Sequence, residues 1–491
     1  MSCKNSAIKF AKSIRARIFE DKWEDENQNL LFARFYGEFL RSNHLGIYSD
    51  IEIEDFLLNK YQFLGKDKVH NPEGDILQLL TTPLPYGGHT RVVENLLSIG
   101  VGNGVAALDE IPSLVLDRIP TGICVKSKLR EVSGVKTIAK ILDVLLTFRR
   151  VILHIHPDDI YSTIASGIAS ELGVEVYFYN HADHGFCYGY GRCKSVFEIS
   201  KYGWLKGVQR GVDHKQSFVG IPAPEISSRA IYRPSYSKLK ILIAGSAAKF
   251  KPWKEYSIPK LIEMIFKTEL LNNTQITICG TDGEDSYWDN IKSLKSENIK
   301  FLGRVNHSQY IEILKASDLY IDSFPQGNGT GFVEAVMQGI PSLGMNILAG
   351  CSWADTLRQK NIYDLLRAIL QVQAFPESYV NRINAVQDSV ERNQSIVACG
   401  NRIIDAINTN VCVNIPPELY EMDCQERFYE KYWMENNSIS INAVLFTNMS
   451  LKSKLKLLLC WSDEWPYDFT VAVIRGGVSY VSKRLKKDYS K

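Results

Sequence analysis

The stretch ASDLYIDSFPQGNGTGFVEAVMQGIPSLGMN, residues 316–346, sets the architecture of the chain. Leu319-Tyr320-Ile321 is an apolar run the size of a buried strand. It empties into Asp322-Ser323-Phe324-Pro325 and then Gly327-Asn328-Gly329-Thr330-Gly331, a loop whose glycines suit backbone that must come close to something. From Thr330 the period turns helical: Phe332, Val333, Val336 and Met337 share a face, and Gly339 followed by Pro341 stops the helix. Ile340 to Met345 begins another short strand. Strand, glycine loop and helix N-terminus together make an anion site, because first-turn N–H groups have no partner inside the helix and carry the positive end of its dipole. Thr330 adds a hydroxyl there, and Glu334 lies one turn in. A diphosphate suits the site, with Glu334 accepting from ribose hydroxyls. A tight β-α turn capped by Thr330 is the plainer alternative.

Upstream, Leu239–Ala244 is another apolar strand, followed by Gly245-Ser246-Ala247-Ala248-Lys249-Phe250-Lys251-Pro252-Trp253, and Thr274–Cys279 and Lys300–Gly303 supply further strands. The order strand, Asp-Ser-Phe-Pro, Gly-Asn-Gly-Thr-Gly, helix with an acid, then Gly-Ile-Pro resembles the donor half of the GT-B glycosyltransferases. It is most similar to the O-linked N-acetylglucosamine transferases and the bacterial cytoplasmic N-glycosyltransferases. The resemblance runs from Leu239 to Trp353 and is specific around Asp318–Pro341. It implies an α/β fold of two Rossmann-like domains facing across a cleft, with a nucleotide-sugar as the bound partner. It also implies that Lys249 or Lys251 meets the donor phosphates as a point charge; two solvated surface lysines are the other reading. Asn328, Gly329, Thr330, Gly331 and Glu334 would hold the diphosphate and ribose, and Arg304, Val305 and Tyr310 would lie where related enzymes hold the base. Tyr310 falls where the O-linked transferases have a base-stacking histidine, and an aromatic ring can do the same job. His307 falls on a basic position of that family, and Ile313 replaces one of its arginines.

A chain of 491 residues has length for two or more domains with real cores. Its 57 Lys and Arg nearly balance 55 Asp and Glu, so no global field announces nucleic acid. Met1 to Lys22 lacks the apolar centre of a signal peptide, and no apolar stretch is long enough to span a bilayer. The 10 cysteines are scattered without a framework, which fits a reducing, cytoplasmic setting.

Residues 1–74 form a helical N-terminal extension in this reading, with Leu30, Leu31, Phe35, Phe39 and Leu40 at helical spacing and Asn71-Pro72-Glu73-Gly74 closing it. Residues 75–235 follow as an N-terminal Rossmann-like acceptor domain, opened by the apolar strand Asp75–Thr82. Pro83-Leu84-Pro85-Tyr86-Gly87-Gly88-His89-Thr90 then enters a helix, with Gly87 and Gly88 as the acceptor-side loop; it is not G-x-G-x-x-G. His89 has two readings, a base or sugar contact in the cleft and a helix cap. Val151–His156 ends in His154-Ile155-His156-Pro157-Asp158-Asp159, and Val174–Tyr179 ends in Asn180-His181-Ala182-Asp183-His184-Gly185. The carboxyl ends of strands carry the ligand chemistry of open α/β sheets, so His and Asp gathered at two such ends are a second signal. As a zinc set, His181, His184, Cys187 and Cys193 match no common spacing. A base and acceptor site is the better reading.

Residues 236–410 are expected to form the C-terminal nucleotide-sugar donor domain, and 411–491 a basic amphipathic extension. In residues 451–491, Lys452, Lys454 and Lys456 interleave with Leu451, Leu455, Leu457 and Leu458, and Lys483, Arg484, Lys486 and Lys487 follow Trp461 and Trp465. Such a composition binds an anionic membrane surface, here peripherally on the inner face; a solvated helical face is the alternative.

Glycosyl transfer needs the leaving diphosphate stabilised and the acceptor deprotonated. The donor loop and a lysine meet the first need, and no Asp-x-Asp motif stands at a strand end, so no metal and no cofactor beyond the donor substrate is expected. Retaining enzymes of this fold commonly carry two glutamates eight positions apart, and Gln326 stands eight before Glu334. That departure points to an inverting displacement with a base from His89, His181 or His184, and with Asp183 orienting the ring. The expected acceptor is a glycan, polysaccharide or lipid-linked, or a protein. A sugar-nucleotide 2-epimerase of the same fold and a non-catalytic scaffold protein remain as alternatives.

Overall fold

The computed structural model describes residues 2–20, 27–85, 87–231, 238–294, 296–347, 352–409, 414–416, 431, 432 and 435. Two parallel sheets form its frame. Strands β1 (Gly74–Leu80), β2 (Gly104–Ala107), β3 (Cys124–Lys126), β4 (Phe148–His154), β5 (Glu175–Asn180), β6 (Ser195–Glu198) and β7 (Gln216–Phe218) make a seven-stranded sheet in the order β3-β2-β1-β4-β5-β6-β7. Strands β8 (Lys240–Ala244), β9 (Gln275–Cys279), β10 (Ile299–Phe301), β11 (Leu319–Asp322), β12 (Ser342–Met345) and β13 (Arg358–Gln359) make a six-stranded one in the order β10-β9-β8-β11-β12-β13. Parallel neighbours need crossover connections, and the helices that supply them cover the sheet faces. Central strands therefore read as continuous apolar runs, such as the buried Val151-Ile152-Leu153 and Ile241-Leu242-Ile243. The strand order reverses once in each sheet, between β1 and β4 and between β8 and β11. Open α/β sheets bind their ligands outside the carboxyl ends of strands at such a reversal. Register pairs Leu80 with His154 and Ala244 with Asp322, so the loops that leave these strands emerge side by side.

Each sheet has its own core. That of the first unites Leu77, Leu79, Val151 and Leu153 with Phe10, Phe35, Phe39 and Leu57 from the helices Ser2–Ile18, Gln28–Asn43 and Ile51–Tyr61. The N-terminal helices are thus built into the first domain. The second core gathers Ile241, Ile243, Ile278, Ile321, Phe332 and Val336. Helix Ile396–Thr409 then returns to the first domain, where Ile403, Ala406 and Ile407 pack with Ile76, Leu96 and Tyr177. Arg402 Nη2 donates to the Val219 carbonyl at 2.8 Å and strengthens that return. Among the described residues no helix is long and apolar enough to cross a membrane. Residues 451–491, the expected membrane-facing stretch, lie outside the described residues.

The amino ends of β1, β2 and β4 show how tightly the first sheet is fitted. Phe148 is buried at the start of β4, and a Cβ on Gly104 would come within 2.3 Å of its ring. Gly104→Ala should therefore cost about 1–3 kcal/mol of stability, the usual penalty of overpacking. Urea unfolding would register this as a lower midpoint at unchanged slope; an unmoved midpoint would mean that the Phe148 ring gives way freely.

Candidate functional site

Strand β11 ends on Asp322, and the loop beyond it is hung from that carboxylate. Asp322 Oδ2 accepts the Asn328 N–H at 2.9 Å and the Arg358 Nη1 at 2.7 Å. Arg358 Nε also donates to Asp355 Oδ1 at 2.7 Å, and all three side chains are buried. The guanidinium carbon lies 4.0 Å from the centre of the Phe332 ring. It passes so close to β12 that a Cβ on Gly344 would sit 2.7 Å from Nη1. The loop is thereby fixed by an ion pair before helix Gly329–Met337 begins.

Asn328 occupies the N-cap of that helix without a side-chain capping bond, so the first-turn N–H groups have no side-chain cap. Gly331 leaves room for the Asn328 amide, whose Nδ2 would lie 2.5 Å from a Cβ there. Gly329 is half-buried and Thr330 exposed, with its hydroxyl at the helix start. Lys249, in the turn Ala247–Phe250 that follows β8, places Nζ 3.4 Å from the Gly327 carbonyl and 3.3 Å from Asn328 Oδ1. Burial lowers its pKa, against the opposing pull of Asp322. Lys251 is exposed. Of the two lysines, Lys249 is the one the fold lays on the loop.

Glu334, one turn into the helix, meets His307 Nε2 through Oε1 at 2.7 Å. His307 opens helix His307–Lys315, which Asn306 and Gln309 close with a reciprocal capping box. Arg304 is exposed and Val305 half-buried in the loop before it. Tyr310 turns its hydroxyl into the protein. Burial raises the pKa of that phenol, and the Glu334 and Asp322 charges add to the shift.

On the first sheet a row of imidazoles stands at the carboxyl ends of β1, β4 and β5. Gln78 Nε2 donates to the Val101 carbonyl at 2.7 Å, which fixes the amide so that Oε1 faces His154 Nε2 at 2.7 Å. His154 Nδ1 in turn lies 2.8 Å from His181 Nε2. Tyr179 stacks on both rings, at 5.0 Å and 4.5 Å between centres. His89 stands in helix Gly88–Ser98, whose N-cap, Gly87, makes no side-chain capping bond. The His89 ring does not cap the helix; its Nε2 donates to the Thr82 carbonyl at 2.9 Å. Its centre is 6.0 Å from that of His181 and 5.5 Å from that of His156. A Cβ on Gly88 would meet nothing within 4 Å, so the space beside this loop is open. Burial drives His154 down to about 3, and it takes His181 well below the ordinary 6.5, with the neighbouring imidazoles pushing the same way. His89 is lowered for the same two reasons.

Asp183 and His184 form a separate pair, His184 Nδ1 to Asp183 Oδ1 at 3.1 Å. Burial alone would raise the Asp183 carboxyl; the bonds from His184 and Ser200 and the charge of Arg210 outweigh it and hold the group below 3.8. The His184 ring lies 5.7 Å from His44, at the end of helix Gln28–Asn43. The expected base residues therefore divide. His89 and His181 join His154 and His156, while Asp183 is held by Ser200 and Arg210 and His184 lies beside His44. Cys187 and Cys193 bury their thiols, which donate to the Tyr188 and Tyr190 carbonyls. Asp159 caps helix Ile160–Glu171, and Asp158 lies 3.4 Å from Arg34. Sequence reasoning missed Gln78 and Arg358; the only signal for Gln78 was one amide inside the apolar run Ile76–Leu80.

No family model matches the chain, and no curated protein does. Among solved structures it is similar to Anabaena HepE in complex with UDP, at 14% identity over 68% of this chain and 100% of that one, with a TM-score of 0.52. A glycosyltransferase from Rickettsia africae is similar at 14% identity over 69% of this chain and 99% of that one, with a TM-score of 0.51. The lipopolysaccharide outer core galactosyltransferase WaaB is similar at 15% identity over 69% and 100%, with a TM-score of 0.50. The chain has the GT-B fold. In this GT-B chain His89 and His154 follow or end the strands at the reversal of the first sheet, Lys249 and the 327–331 loop follow those at the reversal of the second, His181 follows the neighbouring β5, and Arg304, Val305 and Tyr310 follow the edge strand β10.

Replacing Arg358 by Met leaves Asp322 buried without its counter-charge, and about 3–5 kcal/mol of stability should be lost. The double variant Asp322→Asn/Arg358→Met should be more stable than Arg358→Met alone, because it removes one of the two charges, Asp322 and Asp355, that the single variant leaves unpaired. Equal unfolding midpoints for the two would contradict this account of the loop.

His154 binds a proton less readily folded than unfolded, so acid favours the unfolded chain. Its contribution is whole above about pH 6.5 and is lost as pH falls towards 3. Glu54 and Glu198, pushed up by burial to about 7, titrate in the opposite sense, so a difference between variants is the clean measurement. The stability gap between the parent and His154→Gln should shrink by about 1.4 kcal/mol per pH unit below pH 6.5. A gap independent of pH would place a charged imidazole in the native protein.

Proposed function

We propose that the protein transfers a sugar from a nucleotide-sugar to an acceptor hydroxyl or amide. The observation that carries this is the loop before helix Gly329–Met337. It is tied down by Asp322, overlaid by the Lys249 ammonium, and opens on a helix start without a side-chain cap. Such fixed positive potential suits a diphosphate and stabilises it as the bond to the sugar breaks. HepE, which shares the fold, was solved with UDP. Thr330 supplies a hydroxyl to the phosphates, Glu334 accepts from the ribose, and Arg304, Val305 and Tyr310 border the base.

The acceptor proton needs a neutral base, and burial keeps His89 and His181 neutral at working pH. Gln326 in place of a second acid favours inversion, and Lys249 with the helix terminus meets the leaving charge without a metal or further cofactor. The acceptor is a glycan or a protein, presented from the cytoplasm or, through residues 451–491, at an anionic membrane surface.

Thr330→Ala and Lys249→Met should each weaken UDP binding ten- to a hundredfold, since a hydrogen bond to a charged group is worth about 1.5–3 kcal/mol. Calorimetry showing parental affinity in both would put the phosphates elsewhere. Nucleotide release from a panel of activated sugars then separates the classes. Transfer depends on an added acceptor, a 2-epimerase reacts without one, and a scaffold protein releases nothing.

A further inference from the structure

We propose that Gln78 and His154 are positioning residues that hold His181 as its Nε2–H tautomer, leaving Nδ1 as the one basic site on that ring. That Nδ1 receives the acceptor proton rests on the transfer reading above; which nitrogen carries the proton rests on hydrogen-bond geometry alone.

The chain of bonds has one consistent direction. A backbone carbonyl only accepts, so the Gln78 nitrogen belongs against Val101 at 2.7 Å and its oxygen against His154. That oxygen also only accepts, so His154 carries its proton on Nε2. Neutral His154 then has a lone pair on Nδ1, and His181 must fill it from Nε2, 2.8 Å away. Reversing the chain would set the Gln78 oxygen against the Val101 carbonyl, acceptor against acceptor. Gln78 and His154 are at 0% and 1% exposure, so solvent does not soften that clash. An unmet buried bond costs about 1–3 kcal/mol, a bias of roughly ten- to a hundredfold for one tautomer.

Nothing in the packing of a central parallel strand asks for an amide, and a buried amide is costly unless bonded. Gly102, at φ +114°, gives the Gln78 amide its space: a Cβ there would lie 3.1 Å from Nε2. Tyr179 is stacked on both imidazoles and anchored through its hydroxyl to the Gly220 carbonyl at 3.0 Å, so the two rings, tilted 40° to one another, are held in orientation as well as in register.

In the step itself the acceptor proton passes to His181 Nδ1 while the acceptor atom bonds to the anomeric carbon. The bond from that carbon to the diphosphate oxygen breaks, and its electron pair leaves with the nucleoside diphosphate. The relay ends in a carbonyl, with no carboxylate in it. The titratable groups that act on His181 are His154, His89 and His156, each of which opposes its protonation.

Nitrogen-15 NMR of the full chain with labelled histidine tests this at neutral pH, signals being assigned with His181→Asn and His154→Asn. Both rings should show a bare Nδ1 and a protonated Nε2. Gln78→Leu keeps the shape and removes both bonds; it should mix the tautomers and slow UDP release from UDP-glucose about tenfold or more at unchanged KM. Gln78→Glu, protonated so that its O–H donates to Val101 and its other oxygen accepts from His154 Nε2, should keep the tautomer and retain more turnover than Gln78→Leu. A proton on His181 Nδ1 in the parent overturns the proposal, and so does a Gln78→Leu protein with parental turnover and pH profile. If the parent turns over no donor at all, the transfer reading fails, and the tautomer signals of the parent alone decide the relay.

Discussion

The loop before helix Gly329–Met337 depends on one buried ion pair, Asp322 with Arg358. Arg358 starts from β13, crosses β12 at Gly344 and reaches the last residue of β11, so three neighbouring strands are tied by a single guanidinium. Buried ion pairs add little net stability over apolar residues of the same shape, so stability is not what the arrangement achieves. It achieves position. An aspartate is the right group to hold the Asn328 N–H, but a buried carboxylate is costly without a counter-charge. Arg358 supplies that charge while leaving the N–H bond in place, and Asp355 takes the other side of the guanidinium.

In the first domain the proposed proton acceptor sets the opposite demand, since such a group must be uncharged before it acts. A buried carboxylate beside the ring would favour the imidazolium, and His181 has His154 there instead. Burial and three neighbouring imidazoles keep His181 neutral, and a relay of neutral groups fixes its tautomer.

The elements of this fold could be read from the chain because they leave local patterns. Leu319-Tyr320-Ile321, the glycine loop and the apolar face through Phe332 and Val336 predict β11 and the helix after it, and both are there. What stayed hidden are the partners. Arg358 lies 36 residues from Asp322, and His154 lies 76 from Gln78; periodicity reports burial and says nothing about which buried polar group meets which. The loop glycines were read as backbone approach, yet Gly331 is there to make room for the Asn328 amide. His181 and His184 looked like one cluster because they are neighbours in sequence. A turn separates them, with the His181 N–H on the Tyr179 carbonyl and the Gly185 N–H on the Ala182 carbonyl, and the two rings find different surroundings.

That turn is itself held from outside, which explains why His181 sits on a loop without being loose. Asn180, the last residue of β5, gives its Nδ2 to Glu198 at 2.8 Å. On the far side of His181, Arg210 donates to the Asp183 carbonyl, and Ser200 donates to the Asp183 carboxylate. Arg210 is wholly buried, bonds the Gly203 carbonyl at 2.9 Å and lies 3.7 Å from Glu198, so both clamps share one charge pair. His181 is bracketed by residues 180 and 183, each fixed to the same buried centre behind β6. The Asp183–His184 pair, which in sequence resembles a catalytic dyad, belongs to the same frame: the His184 bond helps hold the Asp183 carboxyl below its ordinary value, and Ser200 and Arg210 grip its carboxylate and carbonyl.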